Sequence, residues 1–172
     1  NRAEAIHAHV VSRREDNMLK VTHDGLLCGL DDRLVKTNLE IPCENVMRKV
    51  DACAEKLLQE YLADCEATHV VFCDFSTPKD RFNIYDELKD LLVAMGLEKH
   101  QVKIVHEATT ETQRELLFDD CREGEVAVLI GSTFKMGTGV NVQKRLVAIH
   151  HLDVPWRPAD MVQREGRILR QG

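Results

Sequence analysis

The sequence predicts an α/β fold of three layers, in which a mainly parallel sheet lies between helices. Short runs that are apolar throughout alternate with amphipathic helical patterns from about residue 45 onward. Strands without polar alternation are typical of sheets that are covered by helices on both faces. At 172 residues and 44% hydrophobic side chains, the chain is long enough to bury such a core.

The predicted elements follow one another in regular alternation. Apolar positions between Asn45 and Leu62 recur every three or four residues, which predicts a helix capped by Asn45, just after Pro42. Upstream, Met18–Thr22 is predicted to be extended, and the turn at residues 23–25 indicates a hairpin or the end of a strand. Downstream, strands are predicted at 70–73, 102–105, 126–130 and 146–150, and helices at 81–95 and 110–121.

Polar loops follow the predicted strands, at residues 74–77, 106–109, 131–138 and 151–157. Open α/β sheets bind their ligands at the carboxyl ends of the strands, so these loops are expected to converge on one edge. The third loop continues as a glycine-rich stretch, Gly131–Gln143, but Thr138 replaces the lysine that follows the second glycine of a Walker loop. Val142 stands where a dinucleotide-binding loop has its third glycine, which argues against a Rossmann-type oxidoreductase or transferase.

The segment QREGRILRQG at the C-terminal end carries three arginines within seven positions. A helical wheel separates an apolar side from a polar side formed by Gln163, Arg164, Arg167, Arg170 and Gln171. Guanidinium groups clamp phosphate oxygens with paired hydrogen bonds, so the polar side predicts contact with a phosphate chain. A solvated arginine face is the alternative, and Glu165 falls on the apolar side without an obvious partner.

The residues ahead of this arginine segment indicate where its helix begins. Pro158 suits the first turn of a helix, and Asp160 suits the positive end of the helix dipole. Trp156 lies between two prolines, and we predict that it packs against the protein rather than stacking on a base.

The net charge of −6 conceals an asymmetry. Residues 131–172 hold seven basic and three acidic side chains, a net of +4, whereas residues 1–130 hold sixteen and twenty-six, a net of −10. A basic end on an acidic body can engage phosphates locally. The six cysteines form no C-x-x-C pair and the histidines lack companions at zinc-site spacing, so free thiols and no metal site are predicted.

Two features of the whole chain bear on its context. It has no run of eighteen apolar residues and no signal-peptide pattern, so we expect a cytoplasmic protein with no membrane partner. The chain begins at Asn1 and stops at Gly172, directly after its most charged motif, so we expect it to be part of a longer protein.

Five segments together resemble the C-terminal RecA-like lobe of superfamily-two helicases, in the order and at the spacing of that family. They are VVFCDFSTPK from Val70, HEATTETQRELLFDDCREGEVAVLIGS from His106, KMGTGVNVQ from Lys135, HHLDVPWRPAD from His150 and QREGRILRQG from Gln163. These segments are similar to motif IV, the helix after it, and motifs V, Va and VI. The last two resemble the Swi/Snf-like branch, although motif IV lacks the glutamine of many chromatin remodellers.

With DNMLKVTHDGLLCGLDDRL from Asp16, the chain more narrowly resembles the helicase region of large phage and mobile-element methyltransferase-helicase proteins. The resemblance implies a P-loop NTPase-like second lobe at residues 41–172. Residues 1–40 would be an N-terminal extension, either an accessory hairpin or a segment between two lobes.

The resemblance also implies roles for individual residues. Arg167 and Arg170 stand where motif VI holds the arginine fingers that reach the γ-phosphate of ATP and stabilise the transition state. The nucleotide-binding positions of the family fall on Gly137, Gly139, Asn141 and Gln163. Positions that touch the nucleic-acid backbone fall on Thr109, Ser132, Thr133 and Lys135.

The function implied is that of the C-terminal lobe of a DNA-dependent ATPase, either a helicase or a DNA translocase. ATP with Mg²⁺ would bind between this lobe and the N-terminal RecA-like lobe of the same protein, which would hold the Mg²⁺, and DNA would be the second partner. This fragment alone is expected to be inactive, because it has no Walker A motif. The alternative is a non-catalytic DNA- or protein-binding module derived from a helicase lobe.

Overall fold

The chain forms two units, residues 1–44 and residues 45–172. The computed structural model describes residues 1–8, 10–12, 14–35, 47–136 and 142–169, except for the side chains of 167–169. Within these ranges, no helix has the length and apolar character that crossing a membrane requires. Pro42 and Asn45, the predicted helix start, lie outside the described residues.

The smaller unit is helical where it is described. Helix α1 spans Arg2–His7, helix α2 spans Met18–Leu30, and a 3-10 turn follows at Asp32–Leu34. The Arg2 guanidinium joins the two helices, since it donates to Asp16 at 2.7 and 2.8 Å and to Asp24 at 2.8 Å.

The prediction of an extended segment at residues 18–22 and a turn at 23–25 is wrong, because both lie inside α2. The helix begins there because the Asn17 side chain accepts a hydrogen bond from the Lys20 amide at 3.0 Å, which satisfies a free amide of the first turn. The Thr22 hydroxyl also donates to the Met18 carbonyl at 2.8 Å, inside the same helix.

The larger unit is built on a four-stranded sheet whose strands are all parallel. Strands β1 to β4 span Thr68–Phe72, Val102–Ile104, Val128–Gly131 and Leu146–His151. Their order across the sheet is β2-β3-β1-β4, and Val70 lies opposite Leu129 on one side and Ile149 on the other. The predicted parallel α/β sheet is confirmed, with strand boundaries shifted by one or two residues at most ends.

Four helices flank this sheet. Helices α3 to α6 span Lys49–Ala63, Ile84–Ala94, Glu111–Glu123 and Pro158–Leu169, and a 3-10 turn follows β2 at Val105–Glu107. Helix α5 begins with a reciprocal cap, in which Thr110 and Gln113 each bond the other's backbone amide. It ends at Gly124, whose φ of 89° is a left-handed conformation that glycine adopts without steric cost. Helix α6 begins at Pro158, as predicted.

The two faces of β1 pack against different helices. Val70 and Phe72 point into an apolar core completed by Leu129 of β3 and by Leu117 and Phe118 of α5. Burying each of these side chains contributes about 1.5–3 kcal/mol, so this packing holds α5 on the sheet. Alternate residues of a strand point to opposite faces, and on the other face His69 lies against α3.

Candidate functional site

A cleft of about 740 Å³ lies at the carboxyl edge of the sheet. Its lining comes from the loops after β1, β2 and β3 and from α5 and α6, and consists of Asp74, Thr77, His106, Arg114, Ser132, Thr133, Phe134, Lys135, Asp160 and Gln163. The predicted convergence of the loops on one edge is therefore observed. Ser132, Thr133, Lys135 and Gln163 are brought together in it, whereas Thr109 is not part of the lining.

The centre of this edge is a buried arginine, Arg164, which is only 1% exposed. Its Nε donates to Thr133 Oγ1 at 2.7 Å, and one terminal nitrogen donates to Asp74 at 2.7 Å and to Asp153 at 3.0 Å. Its other terminal nitrogen donates to the Asp153 carbonyl at 2.9 Å. The guanidinium carbon also lies 5.1 Å from the centre of the Phe72 ring. One side chain thus joins the loops after β1, β3 and β4 to helix α6.

The carboxylate partners of Arg164 are themselves fixed by other hydrogen bonds. Asp74 accepts from the amide and from the hydroxyl of Thr133, both at 2.7 Å. Asp153 accepts from the backbone amides of Asp74 and Phe75, the latter at 2.8 Å. Because every member of this cluster is hydrogen-bonded, the buried charges are compensated and the loops are held in one arrangement.

The helical wheel misassigned the faces of α6. Arg164 was placed on the side that meets an external anion, yet it is the buried residue, while Val162 is 68% exposed and Glu165 is also exposed. The reason is that Asp74 and Asp153, which lie in the loops after β1 and β4, provide the negative charge that Arg164 needs. A wheel drawn from one helix contains no information about those partners.

Ser132 and Thr133 use their hydroxyls within the protein. The Ser132 hydroxyl accepts from the Lys135 amide at 3.2 Å and lies 3.4 Å from His106 Nε2, so it caps the turn that leaves β3. Thr133 bonds Asp74 and Arg164. The turn packs tightly, because a Cβ at Gly131 would come within 2.8 Å of the Met136 side chain.

Two basic side chains, Lys135 and Arg114, line the cleft. Each has a side-chain nitrogen without a hydrogen bond or ion pair among the described residues. Lys135 is half-buried, and no ion pair of its ammonium group is found among the described residues. Arg114 donates to Glu111 at 3.3 Å, but its buried Nε has no hydrogen-bond partner in the described part of the chain. Arg114 was not predicted from the sequence, although its position one turn into α5, directly after the second loop, was an available signal.

His106 lies between Ser132 and the edge of the Tyr85 ring, whose centroid is 5.3 Å away. Burial lowers the pKa of His106, the positive charge of Lys135 lowers it further, and Asp74 opposes them more weakly. His106 is therefore neutral at pH 7 and can share a hydrogen bond with Ser132.

We expect an NMR titration of the imidazole to place the pKa of His106 below the ordinary value of about 6.5. Lys135→Ala removes a nearby positive charge, so it should raise this pKa. Lys99→Ala, at an exposed position before β2, is the control and should leave the pKa unchanged. A Lys135 variant that titrates as the wild type does would show that the ammonium group is not close to His106.

The remaining predicted residues fall into two groups. Arg167 lies on α6, three residues after Arg164, and Gln163 is exposed on the same helix. Arg170, Gly137, Gly139 and Asn141 lie outside the described residues. Thr109 is exposed, and both its amide and its hydroxyl donate to Gln113, at 3.0 and 3.1 Å.

Trp156 corrects another expectation. It is 67% exposed and the nearby Val154 is 71% exposed, so the prediction that the tryptophan packs against the protein is wrong.

Comparison with known proteins identifies the family. The family described as helicase conserved C-terminal domain matches residues 50–172. This chain belongs to that family. The predicted recognition of a helicase C-terminal lobe is thereby confirmed.

Two solved structures are similar to this lobe. The C-terminal part of the Fun30 ATPase domain has a TM-score of 0.56 and 22% sequence identity, covering 88% of this chain and 46% of that one. The Hef helicase domain of Pyrococcus furiosus has a TM-score of 0.50 and 17% identity, covering 72% and 23%. At these identities the likeness establishes the fold, and the predicted RecA-like lobe is confirmed.

One curated relative is similar in sequence. Over 58 residues, which are 34% of its length, this chain is 38% identical to the defense against restriction protein B of Escherichia phage P1. That match covers 2% of the phage protein, and the lobe spans less than half the length of each of these three relatives.

Proposed function

We propose that this lobe acts in a DNA-dependent ATPase, a helicase or a duplex translocase, in which it supplies Arg167 and Arg170 as arginine fingers to a shared ATP site. The observation that supports this most is the attachment of α6 to the carboxyl edge of the sheet by buried Arg164. A residue that stabilises a transition state must be held within a fraction of an ångström. Helix α6 provides such a rigid base for Arg167.

The nucleotide would be shared between this lobe and an N-terminal lobe. Exposed Gln163 lies on the cleft, and Gly137, Gly139 and Asn141 complete the proposed nucleotide contacts. Magnesium prefers carboxylate and water oxygens, but the Asp74 carboxylate is already bonded to Arg164 and Thr133. In keeping with the helicase family, we assign Mg²⁺ to the N-terminal lobe, where it would offset the charge of the phosphates.

The DNA backbone would contact the basic side of the cleft. Lys135 has no ion pair among the described residues, Arg114 adds a buried Nε without a hydrogen-bond partner there, and Phe134 is 86% exposed at the same site. Basic side chains bind phosphates irrespective of base sequence, which suits a motor that moves along DNA. Ser132 and Thr133 would contribute by shaping this turn, since their hydroxyls are engaged internally.

An ATP site shared by two lobes would couple ATP hydrolysis to movement of the lobes. ATP would draw the lobes together, the fingers would engage the γ-phosphate, and hydrolysis would release the lobes. DNA held by both lobes would then be moved in steps. The 38% identity to a phage protein over 58 residues supports an origin in a phage or mobile element.

The first test is ATP turnover with and without duplex DNA, measured on the two-lobe parent protein and on this chain alone. We expect DNA-stimulated turnover by the parent and none by the isolated lobe. A parent protein that never hydrolyses ATP would instead support the non-catalytic binding module.

The DNA contact is tested separately by the salt dependence of DNA binding. Lys135→Ala should weaken binding to all duplex sequences alike and reduce the slope of log K against log salt by about 1. Lys99→Ala, an exposed lysine ahead of β2 and away from the carboxyl edge, should leave the slope unchanged. Equal slopes for the wild type and the Lys135 variant would remove this lysine from the DNA contact.

A further inference from the structure

A second cluster of side chains lies on the sheet face covered by α3. It is formed by Glu60 of α3, His69 of β1 and His150 of β4. The Glu60 Oε2 atom lies 3.2 Å from His69 Nδ1 and 3.0 Å from His150 Nε2. All three atoms lie within 4.8 Å of one another, so one ion could contact them together.

Hydrogen bonds of good geometry do not account for this arrangement, although both imidazoles interact with the Glu60 carboxylate. Glu60 Oε2, His69 Nδ1 and His150 Nε2 are all buried, and none has a hydrogen-bond partner among the described residues. The distances are short enough for hydrogen bonds, but the bonding geometry is absent. Buried polar atoms without partners are rare in native proteins. Three such atoms close to one another indicate that a single ligand could bind all of them.

We propose that Glu60, His69 and His150 form a binding site for a divalent transition metal of the zinc class. Two imidazole nitrogens and one carboxylate oxygen are a ligand set that zinc accepts. Ligands about 2.0–2.1 Å from a tetrahedral ion lie about 3.3 Å from one another. The two separations that involve Glu60 Oε2, 3.2 and 3.0 Å, are close to that value, and the two imidazole nitrogens lie within 4.8 Å of each other.

The protonation states of the cluster suit a metal. Burial lowers the pKa of both His69 and His150, so the imidazoles are neutral at pH 7 and each has a lone pair available. Burial acts to raise the pKa of Glu60, but the pKa is lowered overall, and the hydrogen bond from Lys56 is the largest cause of the lowering. Lys56 reaches the other carboxylate oxygen, Oε1, at 3.2 Å, which leaves Oε2 for the ion.

The site joins three elements that are distant in sequence. The His69 side chain is fully buried, whereas the side chains of His150 and Glu60 are 15% and 25% exposed, so an ion and a water ligand can reach it from their side. Bound metal would fasten α3 to β1 and β4. No metal site was predicted from the sequence because the expected signal was closely spaced ligands, and here 81 positions separate the two histidines.

The test is a titration of this chain with Zn²⁺ by calorimetry and with Co²⁺ by its visible absorption. We expect one metal per chain, a tetrahedral Co²⁺ spectrum, and a rise in the thermal unfolding midpoint with Zn²⁺. Glu60→Gln and His150→Gln should weaken binding by more than the roughly 10–100-fold that loss of an outer-shell partner costs. Circular dichroism without metal would check that both variants fold.

The matched control is His100→Gln. His100 Nδ1 also lies 3.2 Å from a glutamate, Glu98, but both residues are exposed and no third ligand is close to them in the described ranges, so binding should be unchanged. If the wild type binds no metal, or if both cluster variants bind it as tightly as the wild type does, the proposal is overturned.

Discussion

Arg164→Ala is expected to lower the free energy of unfolding of the larger unit by about 3–5 kcal/mol, the usual cost of breaking a buried ion pair from one side. The substitution leaves Asp153, whose side chain is 3% exposed, without its cationic partner. It also removes the donor to Thr133 and the contact with the Phe72 ring. The loops after β1, β3 and β4 would lose the side chain that joins them.

Urea unfolding followed by circular dichroism measures this effect. Arg157→Ala is the matched control, because Arg157 is an exposed arginine one residue before α6, and its loss should change stability by no more than about 0.5 kcal/mol. Asp153→Ala combined with Arg164→Ala should cost less than the sum of the single changes, because neither charge is then left alone. Strictly additive costs would show that the two side chains are not coupled.

Arg167→Ala is expected to reduce kcat for ATP hydrolysis by the two-lobe parent protein by roughly 10³–10⁵, the range known for arginine fingers. The effect should fall on kcat, with the KM for ATP nearly constant, because a finger stabilises charge that develops only in the transition state. Arg167→Lys should remain strongly impaired, since an ammonium group cannot reproduce the paired hydrogen bonds of a guanidinium.

Steady-state turnover at saturating DNA and varied ATP separates these outcomes. Arg157→Ala again serves as the control and should retain wild-type kcat. Full activity of the Arg167 variant would contradict the finger assignment and would favour an arginine surface that binds DNA.

The two arginines stand three residues apart in one motif, yet different losses are expected from them. Arg164 is buried among carboxylates, so its removal should appear first as lost stability. Arg167 is proposed to act on a ligand supplied from outside the lobe, so its removal should appear as lost turnover. Measuring stability and turnover on both variants separates the positioning residue from the catalytic one.

Sequence reasoning succeeded where the signal is local. The runs at residues 70–73 and 126–130 are apolar throughout because helices cover the sheet, and that pattern is present in consecutive residues. The predicted start of α5 agrees with the observed start to within one residue, because the capping residues Thr110 and Gln113 are close along the chain. The loop order alone placed Ser132 and Lys135 at the carboxyl edge.

It failed where the deciding partner is remote. The miss at Met18–Thr22 has a local cause instead, because the Asn17 cap that begins α2 was a signal available in the sequence. Trp156 was predicted to pack, but whether a ring finds a pocket depends on surfaces that no local pattern describes.

The sequence by itself determined the family, the parallel α/β fold and the edge of the sheet that carries the cleft, because apolar strands, caps and motif spacing are properties of neighbouring residues. Only the tertiary structure decided that Arg164 is buried against Asp74 and Asp153, and that Glu60, His69 and His150 meet. Those contacts join residues from separate strands and helices, and their energies depend on burial and distance, which exist only after the chain has folded.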